Sequence, residues 1–303
     1  MERQEKRHAP HYKMSFGSIL FDVIKWLILI VFVIVTLYPV VNTLAVSFND
    51  GLDTIKGGIY LLPRKFSMQN YLTVLRKDSL RIATMVTIAR TVIGTITQLF
   101  VTAMLAYIVS RKEFVLRKFL TIIYVLTMYV NAGLIPGYLL IKNLGLLNSF
   151  WVYIVPGMVS AFNMIVIRTF MNGIPDSLAE SAEVDGAGHM RIFMQIMLPL
   201  CKPVLATVAL FIAVGQWNSW FDAMLYNSFN ENLTTLQYEL MKLLSSVSSQ
   251  SGNVDALKNT GSMVTPMSVR AATTIVTAIP IVCLYPFLQR YFVSGLTIGG
   301  VKE

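Results

Sequence analysis

Six stretches of this 303-residue chain contain no Asp, Glu, Lys or Arg: residues 26–49, 91–110, 119–141, 143–167, 203–221 and 271–289. A helix needs about 20 mostly apolar residues to cross the hydrocarbon core of a bilayer, so each stretch is long enough to span one. Lipid offers no hydrogen bonds to an open backbone, and runs this long and continuous therefore read as helices. Strands of a membrane barrel would be shorter and would alternate. Only 14% of the residues are charged, against about 25% in soluble domains, which excludes an ordinary water-soluble globule. The wealth of aromatic residues (17 Phe, 13 Tyr) excludes a disordered chain. The net charge of +9 points to no nucleic acid, because in a membrane protein the positions of the charges carry the information.

Those positions orient the chain. Arg3, Lys6, Arg7 and Lys13 precede the first span, and Arg111, Lys112, Arg117 and Lys118 crowd the short link after the second. Arg168, Arg191, Lys202 and Lys302 fall on the same side, which the positive-inside rule makes cytosolic. Lys56, Arg64, Lys65, Arg76 and Lys77 lie on the opposite side and weaken the bias. The expected fold is an all-α membrane protein of six transmembrane helices with both termini cytosolic. Residues 1–18 form a basic tail, 19–303 the membrane domain, 172–199 a cytosolic loop and 226–268 an extracytoplasmic loop. The first span reads as a retained helix, since its apolar run is too long for a signal core and no A-x-A site follows. In the outer loop, residues 236–244 read either as flexible chain or as a short amphipathic helix. Arg90, inside the second span, either faces protein or snorkels outward.

The cytosolic loop has helical grammar. Ser177 and Glu180 fit a capping box, Leu178, Ala182 and Val184 an apolar stripe, and Gly186 and Gly188 two breaks. A second helix carries Ile192, Phe193, Ile196 and Met197 on one face, and Pro199 and Pro203 lead into the fifth span. The expectation is a helix–turn–helix lying on the cytosolic membrane face.

The run Glu180-Ser181-Ala182-Glu183-Val184-Asp185-Gly186-Ala187, followed by Ile196-Met197-Leu198-Pro199, resembles the cytosolic loop motif of binding-protein-dependent ABC importer permeases. Ser181 stands where that motif has alanine. The stretches GLIPGYLLIKNLGLLNSFW, QWNSWFDAMLY and YPFLQRYFVSGLTIGGVKE are similar to the carbohydrate-uptake branch, including importers of aldouronate and plant-polysaccharide oligosaccharides. The resemblance implies a type I permease with a coupling helix between spans four and five. Glu180, Ser181, Ala182, Asp185, Gly186 and Ala187 would meet a cytosolic ATPase. It also implies a homologous sister permease, two ATPase subunits that bind ATP and Mg, and an extracellular substrate-binding lipoprotein. Glu180 reads equally as a cap or as an ATPase contact, and Asp185 equally as a turn former.

The chain itself lacks a GxxxxGK[ST] loop, a metal-ligand cluster and a Ser–His–Asp set, so no catalytic residue and no cofactor of its own is expected. Cys201 and Cys283 read as buried small hydrophobes. Sugars are held by aromatic faces and amide or carboxylate groups, which makes Asn131, Asn163, Trp217, Asn218 and Asp222 candidates for a substrate path. On one continuous helix, Trp217 and Trp220 would share a face and Asn218 and Asp222 an adjacent one. Trp220 fits an interfacial aromatic belt better than a path. Two other readings compete: an ion-driven transporter using Arg90 and Asp222, and a membrane-embedded enzyme.

Overall fold

The computed structural model describes residues 16–250 and 264–297, and its regular elements are helical apart from one isolated bridge between Asn49 and Phe66. The basic tail with His8 and His11, the segment 251–263 and Lys302 lie outside the described residues.

Helix α1 (Phe16–Ser47) is mostly apolar, and its side chains are largely exposed up to Val40, partly covered at 41–43 and buried at Ala45, Val46 and Ser47. The chain then forms α2 (Gly51–Ile55) and α3 (Gln69–Arg76) before α4 (Asp78–Ser110), the central helix. Ala103 and Ala106 of α4 are buried, and their small side chains let α7 (Ala161–Met171) and α11 (Lys202–Asn218) approach closely. Met164, Ile167, Met171, Val204, Val208 and Ile212 complete that core. The last helix, α14 (Pro266–Thr297), lies against α1 and α11. Trp217 of α11 donates Nε1–H to the Thr277 carbonyl of α14 at 2.9 Å. A second tie joins α13 (Leu236–Gln250) to α4, where the Leu236 amide donates to Thr87 Oγ1 at 2.9 Å. The helical alternative for residues 236–244 is the one adopted.

Three described helices, α1, α4 and α14, are long and apolar enough to cross a membrane unbroken. Two bent pairs bring the number to five if each is counted as one broken span. The helical turns Phe150–Gly157 meet α7 at 48°, and the segment His189–Leu200 meets α11 at 84°. The third expected span is not one helix: α5 (Arg117–Thr127) and α6 (Leu134–Asn143) are separated by an open segment. The break is local in origin. Gly133 has φ +89°, accessible to glycine at little cost, and its amide donates to Asn131 Oδ1 at 2.8 Å. The fourth expected span is likewise interrupted, by Asn148 at φ +53° and by Pro156 in a 3₁₀ turn.

Candidate functional site: a helical loop and a cavity with a charged wall

The loop of residues 172–199 folds as two short helices, α8 (Ser177–Val184) and α9 (His189–Ile192), the latter running through a π turn at Phe193–Met197 into α10 (Leu198–Leu200). Gly186 closes α8 with φ +79°. The Ala187 amide donates to Ala182 O and the Gly186 amide to Glu183 O, both at 2.9 Å, a pattern that satisfies the last carbonyls of the helix. Asp185 is the C-cap, which accords with its reading as a turn former. The second helix buries Ile192, Phe193 and Met197 with Ile196 partly covered, the face expected for it.

Two local expectations fail here. The N-cap of α8 is Asp176 rather than Ser177, and no side chain caps the helix. The Asp176 carboxylate is engaged elsewhere, 2.6 Å from Lys112 Nζ, and Glu180 points to solvent. The inward stripe is Ala179, buried, with Ala182 and Ala187 partly buried, whereas Leu178 is exposed and Val184 is 88% exposed. Glu180, Ser181, Val184 and Asp185 are left facing outward on a helix whose inner edge is fixed. The Lys112 ammonium holds the Asp176 carboxyl below its ordinary value, and the carboxylate in turn raises the lysine. The pair's contribution is present at neutral pH; it is lost as pH falls through the lowered Asp176 value and, at the alkaline end, as pH rises through the raised Lys112 value.

A second polar centre lies where α4, α11 and the helical turns of residues 150–157 meet. Arg90, 2% exposed, reaches across from α4 to α12 (Phe221–Tyr226). It donates to both carboxylate oxygens of Asp222, at 2.5 Å and 3.2 Å, to Gln216 Oε1 at 2.9 Å and to Ser219 O at 3.4 Å. Its guanidinium lies 4.2 Å over the Tyr153 ring. Ser219 Oγ and the Ala223 amide also donate to Asp222, each at 2.9 Å, and Gln216 Nε2 donates to Tyr153 O at 3.1 Å. Arg90 therefore faces protein, with every group of the cluster cross-braced.

The cluster forms one wall of a cavity of about 330 Å³, also lined by Gln98, Gly157 and Asn163. Of the five path candidates, Asn163 and Asp222 reach it. Trp217 instead ties α11 to α14 through Thr277, and Asn218 bonds Val214 O and Gln237. Asn131 caps the α5–α6 break. The face-sharing argument for residues 217–222 fails because α11 ends at Asn218 and Ser219 is extended, with ψ 128°. Arg90 bonds Gln216 before that break and Asp222 after it, which ties both sides to α4. Gln98, Tyr153 and Gln216 were not anticipated as lining groups. The signal was present, since Gln98 and Gln216 are amides inside or beside uncharged runs, but a scan for charge passes over them.

Close glycine contacts shape this centre. A Cβ at Gly94 would lie 2.9 Å from Gln216 Nε2, and one at Gly157 would lie 2.9 Å from Gln98 Nε2. Gln216 is held by Arg90 and Tyr153, so it cannot swing away freely. Gly94→Val is expected to lower the thermal unfolding midpoint of the detergent-solubilised protein, at a cost of about 1–3 kcal/mol for overpacking. An unchanged midpoint would mean that Gln216 is not fixed.

The model of the inner membrane component of binding-protein-dependent transport systems matches residues 98–298, which include the loop, α11 and most of the cavity. The chain belongs to this permease family. A polygalacturonan/rhamnogalacturonan transport system permease protein of Bacillus subtilis (strain 168) is 34% identical over 284 residues, 93% of this chain and 98% of that protein. An arabinooligosaccharides transport system permease protein of Halalkalibacterium halodurans is 27% identical over 290 residues, 92% and 97% of the two chains. A solved bacterial ABC transporter involved in import of the acidic polysaccharide alginate superposes with a TM-score of 0.84 at 30% identity, covering 94% of this permease and all of that chain. A second alginate transporter chain, 15% identical with a TM-score of 0.62 over 90% and 95% of the chains, shares the fold. The permease is thus a membrane-embedded subunit of an ABC importer, not an enzyme, and the importer reading prevails over the ion-driven one.

Proposed function

We propose that this permease carries acidic oligosaccharides, of the oligogalacturonide or alginate kind, through a bacterial cytoplasmic membrane, with both termini in the cytosol. It pairs with a homologous sister permease. Two cytosolic ATPase subunits bind ATP and Mg and supply the energy, and an extracellular substrate-binding protein delivers the sugar. The observation that carries this reading is the build of α8: an inner alanine edge seated on the core, an outer face of Glu180, Ser181, Val184 and Asp185, and a glycine-terminated end. Such a helix transmits a push because it is anchored on one side and free on the other. The names of the relatives support the substrate class, and the relative solved with a pentasaccharide-bound periplasmic protein supports the delivery step. Asn163, Gln98 and Asp222 are the groups of the central cavity suited to sugar hydroxyls.

The test uses the purified complex in proteoliposomes with its binding protein. Oligogalacturonide-loaded binding protein is expected to raise ATP hydrolysis severalfold and to drive uptake that persists when proton and sodium gradients are collapsed. Uptake that follows an ion gradient without ATP would overturn the reading. Stimulation by neutral oligosaccharides alone would overturn the substrate class.

A further inference from the structure

Three side-chain amides line the cavity beside the Arg90–Asp222 pair, and their bonding differs. Gln216 is fully engaged: its Oε1 accepts from Arg90 at 2.9 Å and its Nε2 donates to Tyr153 O at 3.1 Å. Gln98 and Asn163 are each 8% exposed, and neither side-chain amide has a hydrogen-bond partner among the described residues. Only the backbone amide of Asn163 is bonded, to Ser160 Oγ at 3.4 Å. Gln98 follows Arg90 and Gly94 at one-turn intervals on α4, so the three lie on one face. An open amide inside an uncharged stretch of a membrane helix is costly unless water or a ligand meets it.

The rest of the lining adds an apolar face and open space. Phe211 of α11 lines the same cavity and stays 42% exposed. Gly215, one turn later, contributes no side chain, and a Cβ there would meet no atom within 4 Å. Charge on the wall is balanced. Arg90 is the one cation among the described lining residues, and Asp222 engages it with both oxygens. Asp222 Oδ1 also accepts from Ser219 Oγ and the Ala223 amide. No lining cation among the described residues is left free to hold a further carboxylate.

We propose that this cavity is a pyranose subsite indifferent to charge: Gln98 and Asn163 exchange hydrogen bonds with ring hydroxyls, and Phe211 offers its face to the apolar side of the ring. An amide both donates and accepts, as a hydroxyl does, so the two free amides meet a sugar in more than one orientation. An aromatic face beside a few convergent polar groups suits a ring of this kind. A carboxylate gains nothing here, because the Arg90 guanidinium is already held in a cross-braced pair. The subsite rests on the reading of the permease as an oligosaccharide importer. It adds that this subunit touches the sugar itself, through hydroxyls and not through acid groups.

The test uses Gly215→Cys in a Cys283→Ala background, in the intact transport complex reconstituted in nanodiscs. Cys201 is buried and is kept. Position 215 lines the cavity without belonging to its hydrogen-bonding groups. Its modification by a small methanethiosulfonate is followed by mass spectrometry of this chain. Trigalacturonate and its methyl ester, which keeps the ring hydroxyls and loses the charge, are each expected to slow modification severalfold and by similar factors. Gln98→Leu together with Asn163→Leu is expected to abolish the protection by both. Protection by only one of the two sugars would mean that charge is read here, and protection by neither that no sugar enters. Protection that survives the double substitution would mean that other groups hold the ring, and a thiol that never reacts that the cavity is sealed. Each of these results overturns the proposal. ATP-driven uptake of oligogalacturonide by the unmodified complex tests the importer reading separately, so uptake with failed protection removes the subsite alone.

Discussion

Arg90→Leu is expected to cost this permease about 3–5 kcal/mol, a large share of the roughly 5–15 kcal/mol that holds a typical fold together. The loss comes less from the missing attraction than from what is left behind. Asp222, only 23% exposed on its side chain, would keep its charge with no cation near it. Gln216 and the Ser219 carbonyl would each lose a donor. Asp222→Leu should be at least as damaging, because Arg90 is 2% exposed and would lose its only carboxylate partner among the described residues. The double variant Arg90→Met, Asp222→Leu is expected to recover most of the loss, since buried pairs replaced by hydrophobes of similar size are often near neutral. The measurement is the thermal midpoint of all four proteins in one detergent, followed by the fluorescence of the monodisperse peak. Equal midpoints for the wild type and Arg90→Leu would show that the cluster is not what holds the α11–α12 break.

Gly186→Pro is expected to abolish import while leaving synthesis and membrane insertion intact. Proline fixes φ near −65°, whereas this position sits at +79°. It also removes the amide that donates to Glu183 O. A non-glycine residue in this region costs about 1–2 kcal/mol, and the lost hydrogen bond about 1 kcal/mol more. Together these amount to roughly a hundredfold in the population of the native loop. No Cβ clash contributes, because the space around Gly186 is open. Gly186→Ala should thus have a smaller effect, about tenfold, through strain alone. ATP-driven uptake by proteoliposomes and the recovery of the ATPase with the tagged permease measure the two consequences together. Normal uptake by Gly186→Pro would mean that the end of α8 transmits nothing.

The membrane character of the chain was legible because it needs no tertiary detail. A run of 20 uncharged residues is expelled from water whatever it later touches, and 26–49, 91–110 and 271–289 became long helices for that reason. The loop motif was legible on similar grounds. Gly186 at the end of α8 has a local cause, a backbone angle that side chains resist, and Ile192, Phe193 and Met197 follow from helical spacing.

Features that depend on neighbours were hidden. Leu178 and Val184 outrank alanine in hydrophobicity, yet Ala179 and Ala182 face the core while the two larger side chains face outward. Asp176 rather than Ser177 heads α8, and its carboxylate is held by Lys112, 64 positions earlier in the chain. The cavity assembles from α4, the turns of residues 150–157, α11 and α12, and each sequence run contributes one or two polar groups that look incidental in isolation. Arg90 could have faced lipid or protein until Asp222, 132 residues later, was brought to 2.5 Å from it. Apolar length and glycine angles act over a few residues and are written in order along the chain. Pairing of buried charge and the fit of small against large surfaces act between segments far apart in sequence, and they exist only once the helices have packed.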